Sequence, residues 1–423
     1  MVPVLEVYDA SSGDDRLVGT ARFSLRRGSI STTFAYDEAW LANGRGSYAI
    51  DPDLPLMAGS QHCSGIPGAF RDCSPDRWGR TLIKREAREE ALQNDLPLHQ
   101  VDDVDFLIGV FDQTREGALR FCEPGGSFLA ASSPIPPIVQ LPALLHASYD
   151  VARDDAGRDE IKALLAAGSG SLGGARPKAS VCDGERLLLA KFSHPEDEWN
   201  VMAWEKTALD LARMAGIPTP ACQLIRVGNE SVLLLDRFDR EGSRIAGLRI
   251  PYMSGMTILE SADGETSDYA ELAESIALLA KTASQELREL FKRVVFSVAI
   301  NNTDDHMRNW GFLRRDRSWQ LSPIFDVNPN PYMDARRVTS IAGEKEGRDA
   351  TGVRDLAAYC GVSPDEASAV VENVLQTVGQ WRVVAKKNGC PKRELEMFQP
   401  VFEHRAHDLQ EAFTRKASCC ARA

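Results

Sequence analysis

The stretch Asn301-Asn302-Thr303-Asp304-Asp305-His306-Met307-Arg308-Asn309 constrains this chain more than any other, because of what stands on either side of it. From Ser284 to Ile300, the residues Leu287, Leu290, Phe291, Val294, Val295 and Val298 recur at i, i+3, i+4, i+7, i+8 and i+11. That period predicts a helix with one buried stripe. After the polar run, Trp310 to Leu313 and Trp319 to Leu321 read as a strand pair turning at the polar Arg314–Ser318. A loop of Asx turns would explain Asn and Asp in series. Placing Asn, Asn, Asp, Asp, His and Asn between an apolar helix and an aromatic hairpin argues instead for a site that uses them.

Spacing says what the use is. Asp304 and Asn309 stand in an Asp-x-x-x-x-Asn pattern, the spacing of a kinase catalytic loop. In such a loop the carboxylate orients the attacking hydroxyl and the amide oxygen helps to hold Mg²⁺. Beyond the hairpin, Ser322-Pro323-Ile324-Phe325-Asp326 puts Asp326 where a second magnesium-binding carboxylate belongs. Mg²⁺ is hard and takes oxygen ligands, so an Asp/Asn pair beside phosphates suits it.

A second feature lies upstream. Gly168, Gly170 and Gly173 satisfy GxGxxG, which by itself is also the pattern of a plain flexible loop. A dinucleotide fingerprint needs a strand before the glycines and a helix after them. Here Asp159 to Ala167 reads as a helix, and Lys178 to Phe192 as a hairpin turning at Asp183-Gly184. No Gly-Lys-Ser/Thr closes a Walker loop. A glycine loop over a β-hairpin is how kinase-like folds cover nucleotide phosphates with backbone amides. Lys191 ends the second strand after Leu187-Leu188-Leu189-Ala190, and its ammonium calls for an anion. Glu205, on a helix predicted over Asn200–Ala215, is placed to pair with it as the strand lysine and helix glutamate of kinases do.

Elsewhere the chain is ordinary. Its 423 residues exceed one core, so two or three subdomains are expected. Hydrophobic residues at 43% and charged residues at 26% exclude wholesale disorder. The net charge of −12 speaks against holding DNA by general phosphate attraction. No apolar run approaches the roughly 20 residues of a membrane span. The N-terminus lacks the basic and apolar stretches of a signal peptide, which makes a cytoplasmic location the expectation. Nine scattered cysteines without a CxxC pair read as reduced thiols rather than a zinc or redox site. The first 40 residues alternate as a short β-meander, with Arg26-Arg27-Gly28 as a turn. Pro75-Asp76-Arg77-Trp78-Gly79-Arg80 leads into a helix running to about Gln93. Three prolines, two glycines and three serines between Gly125 and Pro137 mark a candidate domain boundary. Beyond about residue 353 the chain reads as helices.

With those segments in this order, the chain resembles the HipA family, bacterial serine/threonine kinases that act as toxins in HipBA-type toxin–antitoxin pairs. The matching motifs are Ser171-Leu-Gly-Gly-Ala-Arg-Pro-Lys178, Asp236-Arg-Phe-Asp-Arg240, Asn302-Thr-Asp-Asp-His-Met-Arg-Asn309 and Leu321-Ser-Pro-Ile-Phe-Asp326. Pro75–Arg80 is similar to the family's N-terminal subdomain. The resemblance implies an α+β, two-lobed fold like that of protein and phosphatidylinositol kinases, with an added N-terminal β-rich subdomain and a mainly helical C-terminal lobe. It divides the chain into an N-terminal subdomain (1–125), a linker (126–158), a kinase N-lobe with the Gly-rich loop (159–240) and a helical C-lobe with the catalytic loop (241–423). It casts Asp304 as catalytic base and Asn309 and Asp326 as Mg²⁺ ligands. ATP would be held by Gly173, Gly174, Ala175, Arg176, Pro177 and Lys178 of the phosphate loop, by Lys191 with Glu205, by Asp236, Arg237 and Phe238 at the adenine hinge, and by His306 and Asn309. In the family a serine at the position of Ser171 is autophosphorylated, which ejects the loop; Ser169 is a possible second site. Nearly two added negative charges would oppose ATP phosphates there.

The resemblance further implies a HipB-like helix-turn-helix antitoxin as partner, DNA contact only through it, and a protein substrate such as an aminoacyl-tRNA synthetase. Two alternatives stay open: a small-molecule kinase on the same scaffold, and a non-catalytic nucleotide-binding partner of a DNA-binding repressor. Three residues depart from the simplest pattern. Pro177 removes one backbone donor from the loop. Asp236 stands where some relatives have glutamate. Asp305 puts a like charge beside Asp304, able either to raise its neighbour's pKa or to attract a second cation.

Overall fold

The computed structural model describes residues 4–129, 135–169, 176–242, 247–262, 264–344 and 348–414. They form two compact units, one of residues 1–197, 221–260 and 313–317, the other of 198–220, 261–312 and 318–423.

The first unit begins with the expected meander, β1 (Val4–Asp9), β2 (Arg16–Arg26) and β3 (Ser29–Tyr36). Arg27 and Gly28 turn the β2–β3 hairpin at φ of 52° and 81°. Two left-handed residues in series match the right-handed twist of the strands they join. Val18, Ala21 and Phe23 are buried, whereas Leu25, which continues their face, is 53% exposed because the core ends before it does. Two further strands complete the sheet in the order β4-β3-β2-β1-β5. These are β4 (Ser60–Ser64) and β5 (Leu119–Cys122), which returns to pair antiparallel with β1. Neither is legible locally: β4 is a polar edge strand, and β5 has only four residues.

A second sheet in this unit carries the hairpin predicted after the glycine loop. It consists of β6 (Lys178–Asp183), β7 (Arg186–Phe192), β8 (Cys222–Val227) and β9 (Glu230–Asp236), in the order β6-β7-β9-β8. One face of it packs on the helices Arg77–Gln93, Leu141–Ala152 and Arg158–Ala166. Trp78, Leu82, Leu144, Leu164, Val181 and Phe192 lie in that core together. Apolar side chains from before and after residues 125–137 therefore share one interior, and burying them jointly supplies the driving force.

The second unit is mainly helical. Its central helix, Ala283–Ala299, lies within a residue of the predicted span. Leu290, Phe291, Val294, Val295 and Val298 are buried as the stripe requires. Helix Val201–Met214 starts at an Asn200 cap, whose side chain accepts from Ala203 N at 3.0 Å. Its Trp204 stacks on Phe398 with ring centroids 3.8 Å apart and donates to Glu394 Oε2 at 2.8 Å. The helices Asp349–Tyr359, Pro364–Val378, Trp381–Lys387 and Lys392–Thr414 complete it. No described helix is long and apolar enough to cross a membrane.

Candidate active site

The polar run begins where the central helix is made to stop. Ile300 caps the helix and Asn301 follows at φ 53°. Asn302 N donates back to Ser297 O at 2.8 Å, and Asn301 N to Val298 O at 3.0 Å. This is the paired closure that glycine usually makes; asparagine is among the few other residues that enter the left-handed region readily. The reversed chain then leaves the helix axis with its next side chains held from several directions. Asn301 Nδ2 donates to Asn330 O at 2.7 Å, and Arg405 Nε donates to Asn301 Oδ1 at 2.9 Å. Asn330 Nδ2 donates to Thr303 Oγ1 at 2.9 Å, and Val338 N to Thr303 O at 2.9 Å.

Asp304 and Asp305 are adjacent and opposite in character. Asp305 is buried and fully engaged. Its Oδ2 accepts from Tyr269 OH and Ser297 Oγ, both at 2.7 Å, and its Oδ1 from Trp310 Nε1 at 3.1 Å. Thr339 Oγ1 donates to its carbonyl at 2.6 Å. Oxygens committed to three donors do not recruit a second cation, so of the two roles open to Asp305 only the electrostatic one survives, and weakly. Asp304 is exposed, and its carboxyl is held above the ordinary aspartate range. Desolvation by the surrounding protein is the main cause; His306 opposes it, and the charges of Asp326 and then Asp305 add to it.

That mutual effect brings the predicted set together. Asp304 feels Asp326 more than it feels its own neighbour in sequence. Asn309 Nδ2 donates to Asp304 O at 3.3 Å, so the amide oxygen is the atom that could serve as a ligand. Asp326 sits half-buried at φ 54°, with Asn328 Nδ2 donating to its Oδ1 at 3.1 Å. Between the two carboxylates, the hairpin Gly311–Arg315 and Ser318–Leu321 turns on Asp316 and Arg317, both at positive φ. Glu286 and Arg293 of the central helix fix its exit, accepting from Leu321 N and donating to Ser322 O. Among the described residues no group of three or more His, Cys, Asp or Glu side chains is arranged to hold a metal. The Asp326 carboxylate and the Asn309 amide oxygen fit Mg²⁺, which keeps waters and substrate phosphates in the rest of its shell.

The remaining predicted residues that the structure describes have these settings. Arg176 pairs with Asp197, which also accepts from His194 N at 2.8 Å. Pro177, lacking an N–H, contributes its carbonyl to Phe192 N at 2.9 Å. Lys178 and Lys191 are directly opposite across the β6–β7 hairpin, and both are buried. Lys178 forms an ion pair with Asp76, each side chain only 2% exposed. The same carboxylate caps the helix Arg77–Gln93 by accepting from Gly79 N at 2.7 Å. Asp236 is half-exposed and pairs with Arg186. Arg237 is spent on Asp239, at 2.7 and 2.6 Å, and on Thr114 O at 2.9 Å. Phe238 lies 6.4 Å from the Tyr252 ring. Glu205 is buried in the second unit and Lys191 in the first, so their pairing stays an expectation. His306 is partly buried beside Asp304. Ser169 is fully enclosed, one residue after Gly168, while Ser171, Gly173, Gly174 and Ala175 lie outside the described residues.

Sequence reasoning does not single out three further buried-network residues, two in the first unit and one in the second. Asp76 and Asp239 each neutralise buried cations, and Arg337 donates to Asn302 O at 2.8 Å and Ser297 Oγ at 3.0 Å. The alternation Asp236-Arg-Phe-Asp-Arg240 is a signal for Asp239. Nothing local distinguishes Asp76 or Arg337, whose partners are distant in sequence.

Comparison with known proteins identifies the family. A family model for the HipA-like C-terminal domain matches residues 170–382, and one for the HipA N-terminal domain matches residues 13–114. Toxin YjjJ of Escherichia coli (strain K12) is 25% identical over 286 residues, 64% of this chain and 62% of that protein. A Sinorhizobium fredii protein named "Putative kinase Y4dM" is 23% identical over 214 residues, 47% of this chain and 50% of that protein. The chain thus spans only about half to three-fifths of these curated relatives. Among solved structures, a chain from the Shewanella oneidensis MR-1 toxin–antitoxin complex of HipA, HipB and operator DNA superposes with a TM-score of 0.66 at 14% identity, covering 96% of this chain and 97% of that one. The fold is accordingly the two-lobed, kinase-like one that the motif order implied, and the chain belongs to the HipA family.

Proposed function

We propose that this chain is a Mg²⁺–ATP-dependent protein serine/threonine kinase that acts as the toxin of a toxin–antitoxin pair. The observation that carries the reading is the electrostatic pairing of Asp304 with Asp326 beside the Asn309 amide, on a loop pinned from beneath by Asp305. Asp304 is the exposed member, placed to accept a hydroxyl proton as that hydroxyl attacks. Asn309 and Asp326 would hold the ion. Bound Mg²⁺ supplies neutralisation of phosphate charge. Lys191 would meet nucleotide phosphates and the segment 236–238 would line the adenine side. Autophosphorylation at Ser171 would switch the loop out; Ser169, enclosed as it stands, would need that segment to open first. By analogy with the HipB-bound neighbour, a helix-turn-helix antitoxin is the partner, with DNA reached through it, since the chain's own charge is −12.

Incubation with radiolabelled ATP and cell extract tests the reading. A discrete labelled protein band, lost in Asp326→Asn and in Asp304→Asn, is the expected result. Label confined to small molecules would move the acceptor to that class. Nucleotide binding with no transfer, together with growth arrest surviving Asp304→Asn, would overturn the catalytic assignment.

A further inference from the structure

One short 3₁₀ turn of the first unit, Asp112–Thr114, touches both segments assigned to the nucleotide. Thr114 ends the stretch matched by the HipA N-terminal domain model, and it is 1% exposed. Its side chain faces Gly168, the first glycine of the Gly-rich loop. Gly168 closes the helix Arg158–Ala166 at φ 61°, with its N donating to Leu165 O at 2.8 Å. A Cβ added at Gly168 would lie 2.4 Å from Thr114 Oγ1 and 2.7 Å from both Thr114 Cβ and Cγ2. The base of the loop and the threonine are therefore packed with no room to spare.

The carbonyls of the same turn, and of Arg115 beyond it, face the chain that continues the adenine hinge. Arg237 Nη1 donates to Thr114 O at 2.9 Å, and Arg240 Nη2 to Arg115 O at 2.7 Å. Arg249, directly opposite Arg240 on a two-stranded ribbon, donates through Nη2 to Asp112 O at 2.7 Å. Asp239, 1% exposed, pairs with Arg237 and Arg240 and accepts from Gly117 N at 2.9 Å. Charge-assisted bonds of this kind are the strong ones, and burial strengthens them further. A turn gripped on one side and close-packed on the other passes a displacement on instead of absorbing it.

We propose that Thr114 is a positioning residue for the nucleotide, coupling the base of the Gly-rich loop to the adenine hinge through the Asp112–Thr114 turn. The inference rests on the nucleotide reading of those two segments given above. Its consequence is that the phosphate side and the adenine side cannot be set independently: a shift at Gly168 reaches residues 236–240, and a shift there reaches Gly168.

A double-mutant cycle on Gly168 and Thr114 in the full chain tests it, well below each variant's melting midpoint. It is read by affinity for Mg²⁺–ATP and, separately, for adenosine, which has no phosphates for the loop to cover. Gly168→Ala should weaken ATP about tenfold and adenosine about threefold, the second loss arising only through the turn. Thr114→Gly removes all three atoms the added methyl would strike, so the double variant should bind both ligands no worse than Thr114→Gly alone. The strain of alanine at positive φ is untouched by that change, which separates the contact from the backbone cost. Where Gly168→Ala does not fold, Arg240→Lys decides without nucleotide: it loosens the grip on Arg115 O and should speed hydrogen exchange at Gly168 and Ser169 about tenfold. Wild type that binds neither ATP nor adenosine would overturn the nucleotide reading and this inference with it. Unchanged adenosine affinity in Gly168→Ala beside weakened ATP, additive losses in the cycle, or unchanged exchange at Gly168 and Ser169 in Arg240→Lys would overturn the coupling alone.

Discussion

Replacing Asp305 with Asn, alongside Asp304→Asn, separates support from chemistry at two neighbouring positions. Asp305 accepts three side-chain hydrogen bonds, from Tyr269, Ser297 and Trp310, in a buried setting. Hydrogen bonds to a charged group are worth about 1.5–3 kcal/mol and neutral ones about 0.5–1.5. With its amide oxygen in the Oδ2 position, asparagine keeps Tyr269 and Ser297 but loses charge assistance, roughly 1 kcal/mol for each. The Trp310 N–H then faces an NH₂ and loses about 2 kcal/mol. Relief from burying a charge offsets part of this, leaving a net cost of about 3 kcal/mol. On the same reasoning, Asp304→Asn costs no stability, since Asp304 is exposed. Hydrogen exchange over residues 301–310 is the assay, because it reads the opening free energy of that segment. Asp305→Asn should accelerate exchange there on the order of a hundredfold, as about 1.4 kcal/mol corresponds to tenfold. Asp304→Asn should not accelerate exchange, since it removes a charge that disfavours folding, while abolishing transfer. Unchanged exchange in Asp305→Asn, or faster exchange in Asp304→Asn, would refute the division of roles.

Carboxyl NMR titration should place the Asp304 pKa above the ordinary aspartate range and show it falling in Asp326→Asn, because one cause of the rise is removed; no change would mean the two carboxylates do not interact. Since the folded-state pKa is raised, ionisation of Asp304 weakens folding as pH rises through it, and Asp304→Asn should flatten that slope in urea denaturation. Asp76→Ala should destabilise the first unit by about 3–5 kcal/mol through the unpaired Lys178, with a further ~1 kcal/mol from the lost helix cap. The double variant with Lys178→Met should recover most of the loss caused by the unpaired ammonium but none of that from the cap, and additive losses in the cycle would show that the pair does not matter. Gly168→Ala should cost at least ~1 kcal/mol in thermal unfolding, because Gly168 sits at φ 61° and an added Cβ would lie 2.4 Å from Thr114 Oγ1; a neutral effect would contradict that packing.

Where local pattern decides structure, the residues announced it. The stripe on Ala283–Ala299 and the turn at Arg27-Gly28 are both set by neighbours within a few positions. The spacing of Asp304 and Asn309, and the placement of Asp326 after an aromatic hairpin, were legible for the same reason. What escaped was settled by distant partners. β5 is a strand because β1 offers it an edge, and Asp76 meets Lys178 across 102 positions. The depth of Asp305 was hidden too. Its three donors come from Tyr269, Ser297 and Trp310, on separate elements, and no local rule tells which of two adjacent aspartates turns inward.

The placement of Asp304 relative to Asp326 follows from bonds within the second unit alone. After Asp326 the chain returns beneath the polar run and is laced to it in sequence. Asn330 N donates to Asn301 O at 3.1 Å, Asn330 Nδ2 to Thr303 Oγ1, Val338 N to Thr303 O, and Thr339 Oγ1 to Asp305 O. Together these bonds fix residues 330–339 against residues 301–305 and satisfy backbone groups that are buried there. The arrangement resolves a conflict between two needs. The charges of Asp304 and Asp326 repel one another, a lesser contributor than desolvation to the raised Asp304 pKa. The surrounding bonds hold that repulsion in place, and on the proposed reading a divalent cation would relieve it. A metal bound there would on that reading neutralise both carboxylates, and the pin at Asp305 would then serve the site as its ligands do.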